Sequence, residues 1–218
     1  MSTKTHILDR LRQAVLNYDS DAAKAAAKAA VAAGLRPDEA VEEGLALGVR
    51  AVGDAFERGE CFLPHVVMAA DVMQEAVAVL MAGRSKEDVE KLSRGTIVMA
   101  TVEGDLHDLG KNIVIAMLRA SQFTVHDLGK DIATDTIIAR AKELDADVIG
   151  LSSLMTTTRP YQRVLIEELN RLGLRDRFKV MIGGGPISRA YAQEIHADGY
   201  GYNAAEAVKE ALRLCASR

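Results

Sequence analysis

The chain has 218 residues, enough for one large domain or two small ones to bury a real core. A formal charge of −4, aromatics at 4 % and no tryptophan provide neither a basic surface nor stacking platforms, so neither nucleic acid nor a membrane is expected as a partner. Charged residues at 27 % beside hydrophobic ones at 49 %, two distant cysteines (Cys61 and Cys215) and an opening "MSTKTHILDRLRQAV" without an apolar signal core point to a soluble cytoplasmic protein. No apolar run approaches the roughly 20 residues of a membrane span.

Residues 1–83 carry only helix signals. Ile7, Leu8, Leu11, Val15 and Leu16 recur at helical spacing until "NYDSD" breaks the pattern. "DAAKAAAKAAVAAG" follows, rich in the best helix former and closing on Gly34. Pro37 suits the first position of a third helix, in which Val41, Leu45, Val52 and Phe56 share a stripe. "RGECFLPHVV" interrupts, and a fourth helix runs from about Pro64 to Met81 before Gly83. Four amphipathic helices with short connections predict a small bundle. The polar, charged segment 84–94 has almost nothing to bury and reads as a linker.

From residue 95 the rhythm changes. "GTIVMATV" is a short β-rich run, and "HDLGKNIVIAMLRAS" has helical spacing. "FTVHDLG", "DVIGLSS", "FKVMIGGG" and "GYGYN" are further strands, each followed by a helical stretch. Strand and helix alternate five times over 95–218, which predicts a five-stranded parallel sheet wrapped by helices, a Rossmann- or flavodoxin-like α/β domain. Ligands of such folds bind where strands end and loops begin.

His107 lies at the first of those exits, in "EGDLHDLGKN". As a lone residue it could be a base, a metal ligand or part of a helix N-terminus with Asp108 as the cap. A zinc site needs three or four ligands at close spacing, whereas His6, His65, His126 and His196 are scattered. A phosphate loop and a serine nucleophile elbow both lack their motifs here. A receiver-type phosphoacceptor requires an Asp where Ser152 stands. Two further exits carry small residues: "LSSL" gives Ser152 and Leu154, and "IGGG" gives Gly183, Gly184 and Gly185. Together they leave an opening beside His107 where backbone can approach a bulky ligand.

Asp105-x-His107-x-x-Gly110, then Ser152-x-Leu154, then Gly183-Gly184 resembles the motif of base-off, His-on cobalamin-binding domains. "CFLPHVVMAADVM" is similar to the helical cap that precedes that domain in methionine synthase and in the corrinoid proteins of methyltransferase systems. The resemblance spans nearly the whole chain, least over the first twenty residues.

The resemblance implies a cobalamin (methylcobalamin or another corrinoid) whose cobalt takes the His107 imidazole as lower ligand. Asp105 would hold the other ring nitrogen and tune its basicity, with Ser152 extending that relay. Leu106, Asp108, Gly110, Ser152, Leu154, Thr156, Gly183, Gly184 and Gly185 would complete the cofactor contacts, the glycines leaving room for ring and nucleotide tail. Phe62, Leu63, Val66 and Met73 would supply an apolar cover, with Phe62 the strongest candidate and Val66 and Met73 fitting bundle core as well. The implied function is a methyl carrier with no complete activity alone. Its implied partners are a substrate:corrinoid methyltransferase, a methylcorrinoid:acceptor methyltransferase serving tetrahydrofolate or coenzyme M, and a reductive activating protein. The donor would belong to the methylamine, methanol, betaine or aryl methyl ether class, a choice the partner enzyme makes. A cobalamin-dependent sensor lacking its own DNA-binding domain is the alternative. A mutase subunit would not need the cap.

Overall fold

The computed structural model describes residues 3–84 and 92–216; residues 85–91 of the expected linker lie outside that range. The chain divides into two compact units, residues up to Ser93 forming the first and residues from Arg94 the body of the second.

The first unit is helical. Helix α1 (Thr3–Leu16) buries Ile7, Leu8, Leu11, Ala14 and Val15, a single stripe. Helix α2 (Ser20–Ala32) starts where the Asp19 side chain accepts the Ala22 amide at 2.9 Å. Its buried face is Ala23, Ala26, Ala27 and Ala30, all fully enclosed, and such small side chains let α1 and the last helix approach closely. The third helical stretch, from Pro37 to Glu57, is α3 (Pro37–Ala40), a π-helical turn at Val41–Leu45, and α4 (Ala46–Glu57). Val41, Leu45 and Val52 are buried as the stripe requires, while Phe56 is half-buried. Gly48 faces α1, where a Cβ would stand 2.7 Å from the Val15 Cβ. The amide of Phe62 donates to His65 Nδ1 at 3.1 Å and opens α5 (Leu63–Leu80). At 18 residues and mean hydropathy 1.4, α5 is long and apolar enough to cross a membrane by composition, which the sequence reading had not anticipated. Its apolar content has a use within the bundle: Val66, Ala69, Ala70, Val72, Met73, Ala76 and Leu80 are buried as it packs along α2 and α4.

The second unit holds the predicted alternation. Strands β1 (Thr96–Thr101), β2 (Thr124–Asp127), β3 (Val148–Ser152), β4 (Lys179–Gly183) and β5 (Gly199–Gly201) form one sheet in the order β2-β1-β3-β4-β5. All pairings are parallel, with Thr101 opposite Ser152 and Ser152 opposite Gly183. The helices are α6 (Leu109–Ala120), α7 (Thr134–Glu143), α8 (Pro160–Arg171), α9 (Arg189–Glu194) and α10 (Ala204–Cys215). Successive strand residues point to opposite faces, so the sheet is covered twice. Val98, Ile149 and Val180 meet Ile137, Leu165 and Ile195 on one face, whereas Ile97, Met99 and Met181 meet Leu118, Ala211 and Leu214 on the other. The strand order reverses direction between β1 and β3, and the crevice at that switch point is where open α/β sheets hold ligands.

Candidate functional site

The loop from β1 into α6 carries Asp105 and His107 across that switch point. The two side chains have opposite environments: Asp105 is fully buried, while the His107 side chain is 51 % exposed. His107 Nδ1 lies 2.8 Å from Asp105 Oδ1, which also accepts the His107 amide at 3.0 Å. The other oxygen, Oδ2, accepts the Thr158 hydroxyl at 2.7 Å and the amides of Leu154 and Met155 at 2.8 and 3.2 Å. Burial alone would raise the Asp105 carboxyl. The donors outweigh it, led by Thr158 and the His107 and Leu154 groups, and hold it well below the usual carboxylate range. Asp105 is therefore an anion at neutral pH that faces Nδ1 of His107, which leaves Nε2 as the ring nitrogen turned away from the carboxylate.

Leu154, Met155 and Thr158 come from the loop after β3, so Asp105 ties the exits of neighbouring strands together. The relay continues from Thr158 Oγ1 to Ser153 Oγ at 2.9 Å. Ser152, expected to extend that relay, stands next to Ser153 at the end of β3. Its pairing with Thr101 and Gly183 fixes it at the strand end, and Asp105 takes its hydroxyl partner from Thr158 instead. Thr158 sits in a "TTT" run whose composition reads as loop, and a contact spanning 53 positions leaves no local trace.

The glycines split into two kinds. Gly184 has φ +127, and a Cβ there would stand 1.8 Å from the Ser153 carbonyl oxygen, so its missing side chain is already filled by protein backbone. A Cβ on Gly183 would meet Gly201 O at 3.1 Å, and one on Gly185 would meet Leu154 Cδ1 at 3.0 Å. The triplet thus packs the β4 exit against its neighbours. At Gly110 a Cβ would meet nothing within 4 Å. The space beside the start of α6 is open.

Exposed apolar side chains stand at the strand exits: Leu106 and Leu109 flank His107 in sequence at 62 % and 72 %, Leu154 follows β3 at 50 %, and Tyr202 follows β5 at 79 %. Leu109 and Tyr202 escaped the sequence reading, because single apolar residues in loops have no period. Thr156 is exposed on the β3 loop, and Asp108 Oδ2 lies 3.7 Å from Lys130 Nζ instead of capping the helix through its side chain. In the helical unit Val66 and Met73 are core and Phe62 is 71 % exposed. Among the described residues no cluster of three or more His, Cys, Asp or Glu side chains is placed to hold a metal ion. An anion-backed imidazole, an open floor at Gly110 and exposed apolar side chains at the strand exits fit a flat, largely apolar metal macrocycle.

Residues 95–209 match the model of the B12 binding domain, and residues 7–81 match a second B12 binding domain model. Dimethylamine corrinoid protein 1 of Methanosarcina acetivorans is 48 % identical over 98 % of this chain and 100 % of its own. The methanol:cobalamin methyltransferase complex of Methanosarcina barkeri superposes at TM-score 0.84 with 29 % identity, covering 99 % of this chain and 81 % of that one. A cobalamin-binding protein from Desulfitobacterium hafniense gives TM-score 0.72 and 34 % identity over 95 % of this chain and 98 % of the other. The chain belongs to the B12-binding family of corrinoid proteins, and cobalamin is its cofactor.

Proposed function

We propose that the chain is the corrinoid methyl carrier of a methylamine-demethylating system, with dimethylamine as the donor class and His107 Nε2 as the atom that would hold the cobalt. The observation that carries this is the Asp105–His107 pair. A fully buried carboxylate faces Nδ1 of a half-exposed imidazole and leaves Nε2 to take a metal, three residues before the open space at Gly110. The donor class rests on the likeness to a dimethylamine corrinoid protein along the whole chain.

When bound, the corrinoid supplies a metal that takes and gives up a methyl group. The protein's residues do the rest. Asp105 fixes the imidazole tautomer and orientation, and Thr158 with the Leu154 and Met155 amides fixes Asp105. Leu106, Leu109, Leu154 and Tyr202 offer apolar contact to the macrocycle, with Asp108 and Thr156 at its polar edge. Gly183 and Gly185 leave volume for the nucleotide tail, and Phe62 is the apolar cover. The partners are a dimethylamine:corrinoid methyltransferase, an acceptor methyltransferase and a reductive activating protein, all in the cytoplasm.

The test is reconstitution with hydroxocobalamin followed by reduction and exposure to a dimethylamine:corrinoid methyltransferase. Dimethylamine should convert the cofactor to its methylated spectrum, and methanol with its own methyltransferase should not. Methylation from methanol but not from dimethylamine would reassign the donor. His107→Ala should still bind about one corrinoid while losing the histidine nitrogen coupling in electron paramagnetic resonance.

A further inference from the structure

Lys111, in the first turn of α6, has a side chain only 1 % exposed, an unusual place for an ammonium. Its Nζ lies 2.5 Å from Asp127 Oδ1, at the end of β2, and 3.0 Å from Asn112 Oδ1. The same Asp127 oxygen accepts the Gly129 amide at 2.9 Å, so one carboxylate fixes both the ammonium and the turn that leaves β2.

That turn runs beside the His107 loop and is bonded to it repeatedly. Gly129 O accepts the Thr101 amide at 3.0 Å, and the Asp131 amide donates to Asp105 O at 3.0 Å. Asp131 Oδ1 accepts the Gly104 amide at 2.7 Å, and Thr101 Oγ1 donates to His107 O at 3.2 Å. Asp131 holds φ 56, a left-handed conformation that a non-glycine residue keeps only when its surroundings enforce it. The contacts close a ring: the His107 loop leads into α6, Lys111 reaches Asp127, the β2 turn follows, and Asp131 returns to the loop. The ion pair, buried at its lysine end, ties the helix flank of the loop to the β2 flank, beside the more exposed Asp108–Lys130 contact at 3.7 Å.

We infer that Lys111 and Asp127 are positioning residues, a clamp that fixes the His107 loop and with it the place where the imidazole would be offered to the metal. The inference rests on His107 being the axial ligand. Neither residue is among the hydrogen-bond partners of the His107 ring or the Asp105 carboxylate, so the clamp acts through the backbone. A loop tethered on both flanks presents its imidazole at one place. Freed on one flank it samples others, and each lowers the share of time spent on the metal.

Removing one partner would strand a buried charge, so the test removes both, with Lys111→Met and Asp127→Asn in one full-length chain. Wild type, the double variant and His107→Ala are loaded with hydroxocobalamin and reduced by one electron. Histidine nitrogen coupling and the midpoint potential of the next reduction are then measured. The double variant should keep its circular dichroism and about one bound corrinoid. Its His-on equilibrium should fall about tenfold, moving the one-electron couple positive by about 59 mV. Unchanged coupling and potential in a folded, loaded double variant would overturn the clamp. Should that variant fail to fold or load, Asp131→Gly decides. It cuts the Gly104 tie without burying a charge, and an unaltered potential there overturns the clamp equally. Coupling absent from wild type, or intact in His107→Ala, would instead sink the assignment of His107 itself.

Discussion

Five donors converge on Asp105, more than any neutral side chain in its place could accept. In Asp105→Asn three donors crowd the Oδ2 position, so the carbamoyl NH2 must take the Oδ1 position and face the His107 amide and ring. The imidazole then loses its acceptor while the metal site keeps its shape. Corrinoid binding should persist and the midpoint potential should change; equal potentials would remove Asp105 from any tuning role. The pH dependence follows from the same donors. A carboxyl whose folded pKa is depressed contributes stability above its unfolded value of about 4, and that contribution is lost as pH falls below it. Urea unfolding of the apoprotein should therefore show wild type losing more stability than Asp105→Asn between about pH 5 and pH 3. Thr158→Val keeps the volume and deletes one charged hydrogen bond, which should cost about 1.5–3 kcal/mol in the same assay. At this scale the Asp105–His107 pair was legible in the sequence, two positions apart on one loop. The sequence concealed Thr158 and Asp127, whose partners lie on other strand exits.

The elements were legible because their periods differ. Alternating short β-rich runs and helical stretches yielded all five strands and the helices between them, while the strand order β2-β1-β3-β4-β5 is known only from the structure. The π turn at Val41–Leu45 was not legible: it alters the phase of a helix by one residue without changing the kinds of residue that face inward. The glycines divide along the same line. Motif spacing marked Gly110 and Gly184 alike, yet only coordinates show that one faces open space and the other the Ser153 carbonyl. Their alanine variants should therefore behave oppositely. Gly184→Ala forces a Cβ into backbone at positive φ and should destabilise the apoprotein by more than about 3 kcal/mol, measured by thermal or urea unfolding. Gly110→Ala, near the start of α6, should leave the apoprotein as stable or up to about 1 kcal/mol more so, because alanine is the better helix former. Its cost should appear only in corrinoid affinity, titrated by absorbance. An apoprotein weakened by Gly110→Ala would mean that its space belongs to the fold rather than to a ligand.

Each unit buries its own core, the alanine-lined bundle on one side and the doubly covered sheet on the other, and Asp105, His107 and the three glycines all belong to the sheet. Two cores predict two cooperative transitions in calorimetry of the apoprotein. A ligand that binds only the folded sheet unit stabilises it by about 2.7 kcal/mol at a hundredfold excess over Kd. Loading with corrinoid should therefore raise the transition of the sheet unit, and His107→Ala should reduce that rise without moving the apoprotein transition. Phe62 poses the complementary problem. At 71 % exposure it adds little to the bundle, so Phe62→Ala should change the apoprotein transition of the helical unit by no more than about 0.5 kcal/mol. Within its own unit the Phe62 ring meets the His65 ring, and the cover role expected of it from the family resemblance is open to a direct test. Photolysis of the methylated, loaded protein measures this directly. The rate should rise in Phe62→Ala and stay at the wild-type value in Val31→Ala, an equally apolar exposed residue of the same bundle at 53 %. Equal rates in all three proteins would leave Phe62 without a part in shielding the cofactor.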